Sequence, residues 1–215
     1  MTAETRQTDQ SQQTPRAASS RRGSTAMTKF SGDRFLARKK VLTLFGKKFH
    51  IYGPDGHNLR FFVKQKAFKL KDAIKVYSDE WRSTPLLEID SRQVIDVSAT
   101  FDVKTSDGEH VGAIKRKGLQ SIWRREWAIL DSNDNEIGKI EGCSLVATLA
   151  RRLFLGLIPQ TFTVTIDGKK VAEYRQRFHP FVHKYDLDFS FDTDDRFDRR
   201  LGIASVVLLL AIEGR

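Results

Sequence analysis

The chain has 215 residues, 40% of them hydrophobic, and a formal net charge of +10. That length and apolar content support one large domain or two small ones with a substantial core. A single cysteine, Cys143, excludes an intramolecular disulfide and a multi-cysteine metal site, which sets the expectation of a reducing, cytoplasmic location.

Residues 1–29 are rich in Thr, Gln, Ser and Arg and nearly free of large apolar side chains, so burial cannot offset their ordering entropy. They are expected to form a disordered basic tail ahead of a single domain over residues 30–215. The tail holds no continuous apolar segment of the kind a secretory signal needs, and Met27 is an alternative start.

From Lys40 onward, short alternating segments bounded by polar turns read as half-buried antiparallel strands. Val41–Leu44 is the first. Phe49–Tyr52 runs into Gly53-Pro54-Asp55-Gly56 and returns as Leu59–Val63, a hairpin with suitable turn chemistry. Further strands are predicted at Ile74–Tyr77, Leu86–Ile89, Thr100–Val103, Val111–Lys117, Trp127–Leu130, Ile137–Ile140, Phe162–Ile166, Val171–Tyr174 and Tyr185–Phe191. Phe101–Ile114, Trp127–Ile140 and Phe162–Tyr174 repeat one pattern, with Asp- or Asn-containing turns and a small residue (Gly112, Gly138, Ala172) early in the return strand. A glycine inside a strand marks a bulge or a close backbone approach. Between these hairpins Ser144–Gly156 reads as a short amphipathic helix or loop that Pro159 ends.

The run Leu201–Ile212 has no polar face, so as a helix it must be surrounded by lipid or by protein. Twelve residues span about 18 Å against the ~30 Å hydrocarbon core of a bilayer, which favours protein as the host. Thr193, Asp194, Asp195 and Asp198 supply N-caps and favourable charge, and place the helix at about 195–212. Only the strands can enclose it, curled into a closed barrel whose core is Leu201, Ile203, Val207, Leu208, Leu209 and Leu210.

Four segments carry a likeness to known proteins: Val63–Asp72, Val111–Lys117, Glu126–Asp131 and the terminal run from Asp198. They resemble the LURP-one-related and phospholipid scramblase group, which shares the tubby C-terminal fold. The resemblance covers Lys40 to Arg215. It implies a mainly β fold, a closed antiparallel barrel of about twelve strands around a hydrophobic C-terminal helix. It also implies association with membrane phospholipid and no enzymatic role. Scramblases carry an acidic calcium-binding segment before that helix. Here Asp186, Asp188, Asp192, Asp194, Asp195 and Asp198 stand in a similar place, with Asp192, Asp194 and Asp195 the calcium candidates. Their spacing departs from both the scramblase pattern and the EF-hand loop, so helix capping is favoured and no cofactor is expected.

Charge points to an acidic partner. Arg34–Lys71 contains eleven Lys or Arg and one acid, and Lys115–Arg125 contains five and none. Lys64, Lys66, Lys69, Lys71, Lys115, Arg116, Lys117, Arg124 and Arg125 are candidate anion ligands, with Trp123 as an interfacial anchor. Lys64, Lys66, Lys115 and Lys117 would build one basic stripe if their strands were adjacent. Catalytic motifs are lacking: there is no nucleophile elbow, phosphate-binding glycine loop or zinc-protease helix. Pro180 breaks the spacing of His179 and His183, and Cys143 has no histidine at an identifying distance in sequence. The expected function is non-enzymatic and peripheral at an anionic phospholipid surface. Nucleic-acid binding and a scaffold role for protein partners are the alternatives, and oligomeric state is open.

Overall fold

A computed structural model describes residues 27–40, 47–65, 73–95, 98–117, 126–142, 160–177 and 182–212. Its strands are β1 (Arg34–Lys40), β2 (Lys47–Tyr52), β3 (Leu59–Gln65), β4 (Ile74–Tyr77), β5 (Pro85–Ile95) and β6 (Ser98–Thr105). Then come β7 (His110–Arg116), β8 (Glu126–Leu130), β9 (Glu136–Gly142), β10 (Thr161–Ile166), β11 (Lys169–Arg177) and β12 (Val182–Asp188), followed by helix α1 (Arg199–Ile212). Every strand pairs antiparallel with its neighbour in sequence, and β12 closes on β1, so the barrel has no free edge.

The sheet curls through a repeated device. In each of the five hairpins β2–β3, β4–β5, β6–β7, β8–β9 and β10–β11, the register slips once near the turn. The slip leaves Arg60, Leu86, Val111, Ile137 and Val171 as the extra residue of a β-bulge, which bends and twists the hairpin. The threefold repeat read in the sequence is thus part of a fivefold one. Gly112, directly after the third bulge, has φ +149°, and a Cβ there would run into the carbonyl oxygen of Leu130. Gly138 lies so close to the Thr165 carbonyl that no side chain fits.

The barrel closes around α1. All residues from Leu201 to Ala211 are buried, among inward side chains that include Phe49, Ile51, Phe101, Trp127, Phe162, Tyr174 and Phe189. Each large aliphatic side chain so enclosed contributes about 1.5–3 kcal/mol relative to exposure. The one hydroxyl on this helix, Ser205, donates to the Gly202 carbonyl at 2.7 Å and meets Tyr174 Oη at 3.0 Å, so the polar atoms of this pair are satisfied. No described helix is long and apolar enough to cross a bilayer.

Strand β1 is unexpected, β5 runs on to Ile95 and β12 starts at Val182; three further boundaries differ for a visible physical reason. Residues 27–30 form a helical turn that belongs to the fold, because Phe30 is buried 4.8 Å from the Phe61 ring and Lys29 Nζ donates to the Ser78 carbonyl. The last strand stops at Asp188, whose carboxylate accepts the Ser190 N–H and hydroxyl and turns the chain. The third is the helix start, at Arg199 rather than 195. The rest of the tail, Val41–Leu44 and Ser144–Gly156 lie outside the described residues.

Candidate functional site

An up-and-down barrel sorts its connections by end. The five hairpin turns, together with the segments before β1 and between β12 and α1, lie at one end. These seven segments contain thirteen Asp or Glu and three Lys or Arg. The opposite ends of the strands carry Lys39, Lys40, Lys47, Lys48, Lys64, Lys115–Lys117, Arg177 and Lys184. The hairpin-end segments are therefore rich in acids, many of them paired with Arg92, Arg196, Arg199 and Arg200, while the described strand ends opposite are rich in Lys, with Glu126 and Glu141 among them.

Alternation and register build the basic end. Lys48 on β2 and Lys64 on β3 are direct cross-strand partners, and both are exposed. Lys184 on β12 stands opposite Arg38 of β1 on one side and Arg177 of β11 on the other. Arg177 is neutralised by Asp186 at 2.6 Å, and the Arg38 guanidinium lies 4.7 Å from the centre of the Tyr52 ring and beside Gly56 of the β2–β3 turn, so its charge is carried toward the hairpin end. Among the described residues, no carboxylate forms an ion pair with Lys48, Lys64 or Lys184. Like charges directly opposite each other repel, and a bound anion relieves that repulsion.

Inside the same end, Lys39 points inward and is only 3% exposed. Its Nζ donates to the Leu210 carbonyl at 2.8 Å, placing a cation on the C-terminus of α1, where the helix dipole favours it. His183, its cross-strand partner, has its pKa lowered by burial and by the nearby Lys39 charge.

The sequence candidates distribute unevenly over this surface. Lys64 and Lys115 are exposed. Arg116 is half-buried on the inward face, opposite Ala99 and Trp127. Lys117 is drawn to Glu136 at 2.6 Å and Glu126 at 3.1 Å, and those partners, Glu136 first, raise its pKa. Lys66, Lys69, Lys71, Trp123, Arg124 and Arg125 lie outside the described residues. The stripe expected across adjacent strands does not form, since β4, β5 and β6 separate β3 from β7. What the described candidates share is a barrel end. Lys184 escaped sequence reading because only the closure of β12 on β1 brings it beside β1, whereas Arg38 lies in a strand the alternation did not show and Lys48 lies just ahead of the predicted strand Phe49–Tyr52.

The acidic segment before α1 is a structural knot. The buried Asp192 carboxylate accepts the N–H groups of Arg196 and Phe197 at 2.9 and 3.0 Å and binds Arg199 Nη1 at 2.7 Å. With these contacts made, and with Asp195 at φ +50°, residues 192–197 form turns instead of the expected helical start. Asp198 becomes the N-cap, accepting the Arg200 N–H at 2.8 Å. Asp194 pairs with Arg196, which lowers its pKa. Among the described residues, no three His, Cys, Asp or Glu side chains group as metal ligands. A cleft of about 600 Å³ beside this knot is lined by Met27, Phe30, Arg196, Arg199 and Arg200. Its three arginines are engaged by Asp194, by Asp192 and Asp33, and by Asp198 and Glu109.

A closed twelve-stranded antiparallel barrel threaded by an apolar helix, with its cations gathered at the helix C-terminal end, defines the class of this protein. A family model described as LURP-one-related matches residues 33–210, and the chain belongs to that family. No curated protein and no solved structure matches it.

Proposed function

We propose that the protein binds anionic phospholipid peripherally through the basic end of its barrel, as a tethering module at the cytoplasmic face of a membrane and without turnover. The observation that carries this reading is the charge there that has no carboxylate partner among the described residues: Lys48 opposite Lys64, and Lys184 on β12. Exposed Lys115 adds to it. Each basic residue near an anionic leaflet contributes about 1 kcal/mol, so four or five suffice for reversible docking. Helix α1 fills the barrel and offers no membrane anchor, which leaves the exterior to make the contact.

Co-sedimentation of the full chain with vesicles tests this. Phosphatidylserine-containing vesicles should capture the protein at low salt, and phosphatidylcholine vesicles should not. Lys48→Glu with Lys64→Glu should reduce capture by about tenfold or more. Equal capture by neutral vesicles, or undiminished capture of the double variant, would overturn the reading.

A further inference from the structure

The hairpin end carries an unusual side chain for its setting. Trp81, in the β4–β5 turn, is 91% exposed, while Trp127 is buried in the core. Indole is the largest apolar side chain and is enriched where proteins meet partners. The turn beneath it is fixed. The Asp79 carboxylate accepts the Ser83 N–H and the hydroxyls of Ser83 and Ser78, the Arg82 N–H donates to the Asp79 carbonyl, and the Ser78 N–H donates to the Thr84 carbonyl. Lys29 ties the turn to the segment before β1 through the Ser78 carbonyl. Trp81 is thus presented on a preorganised platform, so little ordering is required when a partner arrives.

The surroundings select the partner. Barrel order places this turn between the β2–β3 and β6–β7 turns. The three turns together contain Asp55, Asp79, Glu80, Asp107 and Glu109 against Arg82 and the Lys29 ammonium on the Ser78 carbonyl; Glu109 is taken up by Arg200 and Glu80 meets His50, which leaves Asp55, Asp79 and Asp107 without a cation partner among the described residues. Hydrogen bonds from Ser83 and Ser78 hold the Asp79 carboxyl at a pKa of about 2, so it is ionised at any physiological pH. An exposed indole on an acidic turn, flanked in barrel order by two further acidic turns, attracts a guanidinium or ammonium group twice over, through the ring quadrupole and through charge. An anionic bilayer is repelled by the same acids.

From this we propose that Trp81 and the acidic hairpin turns beside it dock an arginine- or lysine-rich segment of a partner protein. The site stands at the opposite end of the barrel from the proposed lipid surface and does not depend on it. Binding of a short oligoarginine peptide to the full chain, measured by calorimetry at about 150 mM salt to screen distant charges, tests the idea. Oligoarginine should bind, while oligoglutamate and a glycine-serine peptide should not. Trp81→Ala should weaken the oligoarginine complex by about tenfold or more, and Trp81→Phe by less, since phenyl is the poorer cation acceptor. An exposed side chain contributes little to folding, so both variants should melt like the parent. Capture of Trp81→Ala by phosphatidylserine vesicles should stay within about twofold of the parent. The proposal is overturned by a Trp81→Ala variant that keeps its oligoarginine affinity within about twofold, or by equal binding of the glycine-serine peptide. Loss of vesicle capture on Trp81→Ala would also overturn it, by making the indole a lipid anchor.

Discussion

The two ends of helix α1 sit in contrasting chemistry. At its N-terminus, Asp192, Asp198, Arg199 and Arg200 lock together with backbone N–H groups, and almost every charge there has an opposite partner. At its C-terminus one buried lysine reaches one carbonyl, while outside it Lys48 faces Lys64 without compensation. The first arrangement holds the helix in register within the barrel. The second leaves electrostatic repulsion in place, a cost that folding alone gives no reason to keep. The difference separates charges with structural partners from the charges through which we propose a ligand binds.

The largest expected effect removes what both ends share. Leu208→Asp puts an unpaired carboxylate in the centre of the barrel, at a cost comparable to the whole ~5–15 kcal/mol stability of a domain. No cooperative unfolding transition should remain in urea, and a soluble, cooperatively folding variant would refute the enclosed helix. Next comes Asp192→Ala, which strips Arg199 of its buried partner and two N–H groups of their acceptor, and should cost about 3–5 kcal/mol by chemical denaturation. A loss under about 1 kcal/mol would show that the hairpin end is not the stabilising one.

Those two changes probe features of very different legibility. The apolar run Leu201–Ile212 announces its helix, and alternating residues between turns such as Asp107-Gly108 and Asp167-Gly168 announce the strands, because both signals are local. The helix start was misread for a physical reason. Every acid from Asp192 to Asp198 can cap a helix, and the choice of Asp198 follows from Asp192 capturing the N–H groups of residues 196 and 197. Strand β1 was missed because Lys39 occupies an inward position and breaks the apolar alternation of Arg34–Lys40. Its burial makes sense only beside the Leu210 carbonyl, 171 positions along the chain. The basic end shares that difficulty: clusters were visible in sequence, but barrel closure decides which of them meet.

Smaller effects refine the contrast at the basic end. The unfolded chain protonates His183 near pH 6.5, whereas burial and the Lys39 charge hold the folded imidazole neutral to lower pH. The stability this group contributes is present above 6.5 and is lost progressively as pH falls through the folded value. Urea midpoints at neutral and mildly acidic pH should therefore differ more for the parent than for His183→Asn, and identical differences would count against the inward histidine. Smallest of all is Lys64→Gln. Relief of the repulsion with Lys48 should leave stability unchanged or raise it by up to about 1 kcal/mol, with the gain fading in salt. A clear loss of stability would place Lys64 among the structural charges.

Closure of β12 on β1 also has a consequence for how the chain becomes a protein. The helix that fills the barrel follows all twelve strands in chain order, and the seam that seals the wall joins the earliest strand to the latest. A nascent chain leaving the ribosome therefore exposes its hairpins before either the filling or the seam exists. Local hairpins can form early, but the decisive contacts carry the full entropy of closing a loop of about 150 residues. Such a topology folds slowly, and until the helix arrives the apolar inner wall is exposed to aggregation.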